Sequence, residues 1–97
     1  MQKRYSIIQN LDDRECFVCK TTQNIHIHEV FYGAGRRDKS IKYGCCVCLC
    51  ACHHNMSNAG VHFNAELDRK LKAHTQKRFN EVYPDLDFRA IFGKSYL

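Results

Sequence analysis

Apolar residues occur in short alternating runs in the first half of the chain. Residues 25–31 combine β-branched and aromatic side chains and predict a strand, with His26 and His28 on one of its faces. Residues 45–49 predict a second strand if cysteine is counted as a small apolar residue, and residues 3–9 predict a further short strand. Residues 33–40 are basic and contain two glycines, so we predict an exposed loop between the strands.

The second half of the chain predicts helices. Residues 51–57 have the character of a first helical turn, which residues 58–60 break. Asn64 predicts the N-cap of a longer helix that runs to about Val82, and Pro84 cannot continue it. Asp87 to Phe92 predict a last short helix that Gly93 closes. The predicted apolar stripe of the long helix contains Leu67, Leu71, His74, Arg78 and Val82, with Phe79 beside it.

The length of 97 residues suits one domain, residues 1–97, with a core over about residues 14–64 and a helical part over about residues 65–97. A domain this small often needs a metal or a partner chain for stability. The N-terminus leads to no apolar secretory segment, and no run reaches the roughly 18 apolar residues of a membrane span. We therefore expect a cytoplasmic protein without a membrane partner. The formal charge of +5 suits a polyanion such as nucleic acid.

Sulfur and imidazole are concentrated in two places. Five of the seven cysteines and three of the six histidines lie between Gly44 and Asn64. Cys16 and Cys19 lie upstream and form a Cys-x-x-Cys motif, which puts two sulfur atoms on one side of a tight turn. An odd number of cysteines without an export signal favours metal-binding thiolates over disulfides.

A second pair of ligands must complete this zinc knuckle, and the chain offers several. We favour Cys50 and His53, because a strand gives way to a helix there and a tight turn can aim both side chains at one point. Cys45 and Cys48 are an alternative, but within a strand their side chains would point to opposite faces. Three cysteines with one histidine, or four cysteines, are ordinary ligand sets for Zn²⁺. The remaining cysteines are then predicted to be small core residues or exposed thiols.

Several motifs follow one another in a particular order. They are Cys16-Phe-Val-Cys19, Ile27-His-Glu-Val-Phe-Tyr-Gly33, Leu49-Cys-Ala-Cys-His-His54, Gly60-Val-His62 and the ending Phe88 to Leu97. In this order the chain resembles the HNH nucleases of the His-Me finger (ββα-metal) group, in particular the small zinc-knuckle type of phages and prophages. The resemblance implies an α+β fold: a small ββα-metal core with a zinc knuckle, followed by C-terminal helices.

The resemblance also implies a function: metal-dependent endonuclease cleavage of DNA phosphodiester bonds. It implies a structural Zn²⁺ and a catalytic divalent cation, Mg²⁺ in first place with Mn²⁺ or Zn²⁺ as alternatives. The catalytic residues that it implies are His28, Glu29 and His54. The cation would be held by His28, His54 and His62, with His26 as a weaker candidate. Because Glu29 stands where the family has a second histidine, either His28 is the base, which we favour, or His28 is a ligand and Glu29 the base.

The middle asparagine of the family pattern is missing from residues 40–45. The resemblance implies that this asparagine fixes the loop and holds the base in place. Ser40 or a backbone group could substitute for it, and Asn58 and Asn64 are alternatives from elsewhere in the chain.

Basic residues of the predicted loop, Arg36, Arg37 and Lys39, would contact DNA phosphates together with the basic long helix. Few groups remain to read bases, so we expect low sequence specificity or guidance by a protein partner, and a homodimer is a further option. A protein of this type would act in the cytoplasm of a bacterial or phage-infected host cell. Two other classes stay open: a non-catalytic zinc module that binds nucleic acid or protein, and a redox or metal-storage protein that uses the cysteine-rich strand.

Overall fold

A computed structural model describes residues 5–33, 35–56, 60 and 64–97. Two strands, β1 (Ile25–Glu29) and β2 (Cys46–Cys50), form an antiparallel sheet, and helix α1 (Arg37–Tyr43) lies in the connection between them. A π-helical turn, Cys52–Met56, follows β2. The two remaining helices are α2 (Ala65–Val82) and α3 (Phe88–Phe92), and a single 3₁₀ turn, Leu11–Asp13, precedes the sheet. The protein is thus a small mixed α/β structure.

The pairing of β1 with β2 is regular from end to end. Ile25 lies opposite Cys50 and Glu29 lies opposite Cys46, with a one-to-one partner at each step between them. Side chains alternate between the faces of such a strand, so His26 and His28 share one face, as the sequence predicts. β2 lies one residue later than predicted, and all five of its residues are buried.

Residues 37–43 form α1, so the predicted exposed loop over residues 33–40 is wrong in its second half. Gly44 ends the helix in the left-handed conformation, with φ of 73°, and its N–H points back at the last turn. Ser40 is completely buried, and its hydroxyl group is satisfied there by hydrogen bonds to the N–H and the carbonyl oxygen of Phe31. Contacts across nine residues stabilise this short helix, and a local count of polar residues does not reveal them.

The predicted N-terminal strand is also wrong over the part that the structure describes. Residues 7–9 form bends beside the end of α1, and residues 5 and 6 have no regular secondary structure. The N–H of Ile7 donates to the carbonyl oxygen of Gly44 at 2.9 Å, and Arg78 of α2 donates to the carbonyl oxygen of Ile7 at 2.8 Å. These are single hydrogen bonds and not a ladder, so within the described residues the segment does not pair with a strand.

Helix α2 begins where the sequence predicts. The side chain of Asn64 accepts a hydrogen bond from the N–H of Leu67 at 3.1 Å, which is an N-cap bond. The predicted apolar stripe is only partly right: the buried residues of α2 are Leu71, Thr75, Gln76 and Phe79, whereas His74, Arg78 and Val82 are exposed. Polar residues enter the core because hydrogen bonds satisfy them. Thr75 donates to the carbonyl oxygen of Leu71 at 2.8 Å.

An aromatic cluster joins the sheet to the C-terminal helices. Phe31 lies just after β1, and its ring centroid is 4.7 Å from that of Phe92 and 5.0 Å from that of Phe88. Phe88 in turn lies 5.3 Å from Phe79 of α2. The predicted last helix, closed by Gly93, is confirmed as α3, although Asp87 is its N-cap and not its first helical residue, and α3 covers one side of this core. Among the described helices, none has the length and apolar character to cross a membrane.

Candidate metal centre and histidine cluster

The Cys-x-x-Cys motif forms a tight turn that is bonded to β2. The N–H of Lys20 donates to the carbonyl oxygen of Cys16 at 2.9 Å, and Lys20 itself is left-handed with φ of 68°. The N–H of Phe17 donates to the carbonyl oxygen of Cys48 at 2.8 Å. This bond holds the turn against the strand that ends at Cys50.

Four side chains converge between this turn and the end of β2: Cys16, Cys19, Cys50 and His53. Their ligand atoms all lie within 4.8 Å of one another. The Sγ atoms of Cys19 and Cys50 are 3.7 Å apart, far beyond the roughly 2.05 Å of a disulfide. The Nδ1 atom of His53 lies 3.2 Å from Sγ of Cys50 and 3.9 Å from Sγ of Cys16.

These separations suit a tetrahedral ion. Zinc–sulfur bonds of about 2.3 Å and zinc–nitrogen bonds of about 2.0–2.1 Å place two ligand atoms about 3.5–3.8 Å apart. The observed values of 3.2, 3.7 and 3.9 Å lie around that range. The chemistry of the donors also fits, since three sulfur atoms and one imidazole nitrogen are a common set for Zn²⁺. The cluster could therefore hold a metal ion such as zinc.

The pKa values of the thiols differ within the cluster. Burial raises the pKa of Cys16, but backbone N–H groups of Cys19, Cys50 and Val18 point at its sulfur atom and lower the pKa to about 6. Burial raises the pKa of Cys50, against a backbone hydrogen bond from His53 that lowers it. The lowered pKa of Cys16 favours its thiolate, which is the form that binds metal ions.

The other cysteines of the described chain lie outside this cluster. Cys45 is buried in the hydrophobic core, and burial raises its pKa to about 12. Cys48 donates to the carbonyl oxygen of Leu11, with the sulfur atom 3.9 Å away. These positions rule out Cys45 and Cys48 as the second ligand pair. Cys46 is buried as well, and Cys52 is exposed.

A second cluster consists of three histidines. His26 and His28 project from one face of β1, and His54 reaches them from the π-helical turn after β2. The Nδ1 atoms of His26 and His54 are 3.0 Å apart, and the ring centroid of His54 lies 5.1 Å from that of His28. His28 is only 3% exposed, whereas His26 is exposed. We call these three residues the histidine cluster.

Glu29 lies on the opposite face of β1 from His28. Regular pairing directs the side chains of His28 and Glu29 to opposite faces of β1, because no bulge interrupts the register. The structure therefore brings His54 to His28 and not to the strand face of Glu29. His62, the further predicted ligand, lies outside the described residues.

The residues considered for the missing asparagine have separate roles. The hydroxyl group of Ser40 donates to the carbonyl oxygen of Phe31 at 2.6 Å and accepts from its N–H at 3.1 Å. Phe31 follows β1 directly after Val30, so this bridge fixes the chain that leaves His28 and Glu29. Asn64 is occupied as the N-cap of α2, and Asn58 lies outside the described residues.

The predicted phosphate contacts lie at the start of α1. Arg36 precedes the helix and is half-buried, while Arg37 and Lys39 are exposed on it. Lys39 also donates to the carbonyl oxygen of Ile91 at 2.7 Å, which links α1 to α3. These residues are therefore held by a helix and not by the predicted loop.

Sequence reasoning missed a polar group beside the histidine cluster. The ring of Tyr32 lies 5.8 Å from that of His28, and its hydroxyl group donates to Oδ2 of Asp68 at 3.3 Å. Lys72 approaches the same oxygen atom at 2.9 Å and lies over the Tyr32 ring. Burial, and then the charge of Asp68, raise the pKa of Tyr32. The spacing of Asp68 and Lys72, four residues apart on one helix, was the available signal.

Two groups of donors thus lie on either side of one short turn, since His53 belongs to the first and His54 to the second. The first group can hold a metal ion, and the second gathers imidazole rings on one face of β1. In comparisons with known proteins, no family model, no curated protein and no solved structure matches this chain.

Proposed function

We propose that the chain is a metal-dependent endonuclease of the HNH type, of phage or prophage origin, that hydrolyses phosphodiester bonds of DNA. The observation that carries the proposal is the approach of His28 on β1 to His54 after β2, with ring centroids 5.1 Å apart. Hydrolysis of a phosphodiester needs a base for the attacking water and a cation against the charge on the phosphate. A buried imidazole beside a second imidazole supplies candidates for both roles.

In this proposal His28 takes the proton from the attacking water, and His54 is a ligand of the divalent cation. The cation would neutralise the negative charge that develops on the phosphate and the leaving oxygen. His62 is proposed as a further ligand. The alternative, with His28 as ligand and Glu29 as base, is supported less well, because the register directs Glu29 away from the face that His54 reaches.

Zinc in the first cluster would have a structural role. Cys50 ends β2 and His53 lies in the next turn, so an ion bound there fixes the turn that carries His54. Ser40 supports the other side of the site through its two bonds to Phe31, just after β1. Ser40 is therefore our candidate for the role of the missing asparagine, because its hydroxyl group bonds both backbone groups of Phe31.

Binding to DNA is proposed to occur through phosphate contacts of Arg36, Arg37 and Lys39. Such contacts position the duplex and carry little sequence information, which supports low intrinsic specificity. A guiding protein or a homodimer would then select the target. The net charge of +5 favours the same polyanionic partner.

A non-catalytic zinc module that binds nucleic acid or protein is the second candidate. It is favoured by the fact that the Cys16, Cys19, Cys50 and His53 cluster is complete without any residue of the histidine cluster. In that case, binding to DNA would not depend on His28 or His54.

Cleavage of supercoiled plasmid separates these candidates. Zinc-loaded protein is incubated with plasmid, with and without Mg²⁺ or Mn²⁺, and compared with His54→Ala and with His74→Ala. His74 is an exposed histidine of α2 outside both clusters, so it is the matched control. We expect nicking that needs the added ion, is lost by at least about 100-fold in His54→Ala and is retained in His74→Ala.

The zinc content and circular dichroism of each variant show whether it is folded. If folded wild-type protein binds DNA and leaves supercoiled, linear and branched DNA uncut with either ion, the endonuclease proposal is wrong and the binding module replaces it. If the protein nicks DNA and His54→Ala nicks it equally well, the assignment of the site is wrong.

A further inference from the structure

The Nδ1 atoms of His26 and His54 are close enough to share either a proton or a metal ion. Their Nδ1 atoms are 3.0 Å apart. Metal–nitrogen bonds of about 2.0–2.1 Å place two imidazole nitrogens about 2.9 Å apart at a right angle and about 3.4 Å apart at the tetrahedral angle. The observed separation lies within these limits, and the rings meet nearly edge to face, at 84°.

The surroundings of the pair also suit a bound ion. His26 is exposed and provides access from solvent, whereas His28, two residues later on the same face, is 3% exposed. The ring of His54 lies 5.2 Å from that of His26 and 5.1 Å from that of His28, so it contacts both. The three imidazoles therefore adjoin one another, with His26 exposed at the surface and His28 buried.

We infer that His26 and His54 form a second metal site, with His28 beside it, that takes a transition-metal ion such as Zn²⁺, Mn²⁺, Co²⁺ or Ni²⁺ in preference to Mg²⁺. The inference adds His26 to the proposed site and names the class of metal that binds there. It rests on the proposed function only for the catalytic role of that ion. Imidazole nitrogen suits these ions, while Mg²⁺ prefers carboxylate, phosphate and water oxygens.

The two sites are coupled through the chain. His53 belongs to the first cluster and His54 to the second, so an ion on His53 fixes the turn that presents His54. The second site therefore forms fully only when the first is loaded. The first equivalent of Zn²⁺ goes to the sulfur ligands, and the second equivalent binds to imidazole alone.

Metal titration of the full chain tests this inference without any cleavage assay. Protein loaded with one equivalent of Zn²⁺ is titrated with Co²⁺, followed by absorbance and calorimetry. We expect one further equivalent, with d–d absorption and without a new sulfur-to-cobalt charge-transfer band. A hundredfold excess of Mg²⁺ should leave this binding unchanged.

The variants His26→Ala and His26→Gln test the assignment, and His74→Ala is the control. Because His26 is exposed, its replacement leaves the core intact. We expect both His26 variants to keep one Zn²⁺ and to bind Co²⁺ at least about 10- to 100-fold more weakly, the range that loss of even an outer partner costs. His74→Ala should bind as the wild type does.

Two outcomes of the metal titration would overturn the inference. Wild-type protein that binds no second equivalent has no such site, and His26 variants that bind Co²⁺ as tightly as the wild type place the site elsewhere. The cleavage assay answers a separate question. Nicking with Mg²⁺ alone that is equal in wild type and His26→Ala would keep the proposed function and reject the metal class. Binding of Co²⁺ to the second site without nicking of DNA would keep the second metal site and reject the endonuclease function.

Discussion

One hydroxyl group, that of Ser40, holds together two segments that are nine residues apart. It is fully buried and bonds both the carbonyl oxygen and the N–H of Phe31. The carbonyl oxygen of Ser40 also accepts from the N–H of Cys45 at 2.8 Å. The residue therefore connects the end of β1, the middle of α1 and the start of β2. The position of His28 depends on all three.

Replacement of Ser40 by alanine should destabilise the protein. The change leaves the N–H and the carbonyl group of Phe31 buried without this partner, which costs about 1–3 kcal/mol of unfolding free energy for each unsatisfied group. Urea denaturation of Ser40→Ala measures the loss. Thr22→Ala is the control, because Thr22 is exposed and lies outside the core. A loss below about 0.5 kcal/mol, the size of an ordinary surface substitution, would contradict the structural role of the bridge.

Among the helices, α2 has its boundary fixed by one side chain. Asn64 accepts from the N–H of Leu67 at 3.1 Å, and Glu66 and Asp68 in the first turn complement the helix dipole. We expect Asn64→Ala to lower the unfolding free energy by about 1 kcal/mol and Asn64→Asp to leave it within a few tenths. Thermal denaturation followed by circular dichroism measures both. Equal destabilisation by the two changes would show that the amide group has another role.

Elements with a local signal could be predicted from the sequence. The cap of α2, the glycine after α3 and the strand of alternating histidines depend on neighbouring residues, and the structure has all three. A loop over residues 37–40 and a strand over residues 5–9 were predicted wrongly, because α1 and the bends of residues 7–9 depend on bonds to distant parts of the chain. The buried face of α2 was misjudged for the same reason, because Thr75 and Gln76 find partners that apolar periodicity does not include.

The first cluster was predictable because ligand spacing is itself local. A strand end followed by a turn aims Cys50 and His53 at one point, and the structure brings them to Cys16 and Cys19. The pairing of His26 with His54 was not predictable to the same degree. It depends on the register of β1 with β2, which the sequence does not specify.

At the scale of the molecule, the first cluster joins segments that the hydrophobic core joins only in part. The aromatic core connects β1 with α2 and α3 through Phe31, Phe79, Phe88 and Phe92. The turn of residues 16–19 lies against β2 through few backbone bonds, and in the π-helical turn after β2 Cys52 is exposed while His53 and His54 are half-buried. A bound ion would link these two turns and contribute its binding free energy to folding.

Removal of the metal should therefore lower stability and expose thiols together. Zinc-loaded protein is treated with a strong chelator, and unfolding is followed by circular dichroism while a thiol reagent counts reactive cysteines. With zinc bound, we expect Cys52 to react first, because it is exposed and outside the cluster. Cys45 should resist, since burial raises its pKa to about 12. After chelation, we expect a lower melting temperature and further reactive thiols, and readdition of Zn²⁺ should reverse both changes.

Two exposed cysteines provide a matched pair of variants for this experiment. Cys19 lies in the cluster and Cys52 outside it, and serine replaces either with little change in size. We expect Cys19→Ser to lose zinc affinity and to melt at about the temperature of the chelated wild type. Cys52→Ser should keep one zinc ion and the wild-type melting temperature, and it should lack the fastest thiol. A wild type whose melting temperature stays constant after verified loss of zinc would show that the aromatic core alone determines the stability of this fold.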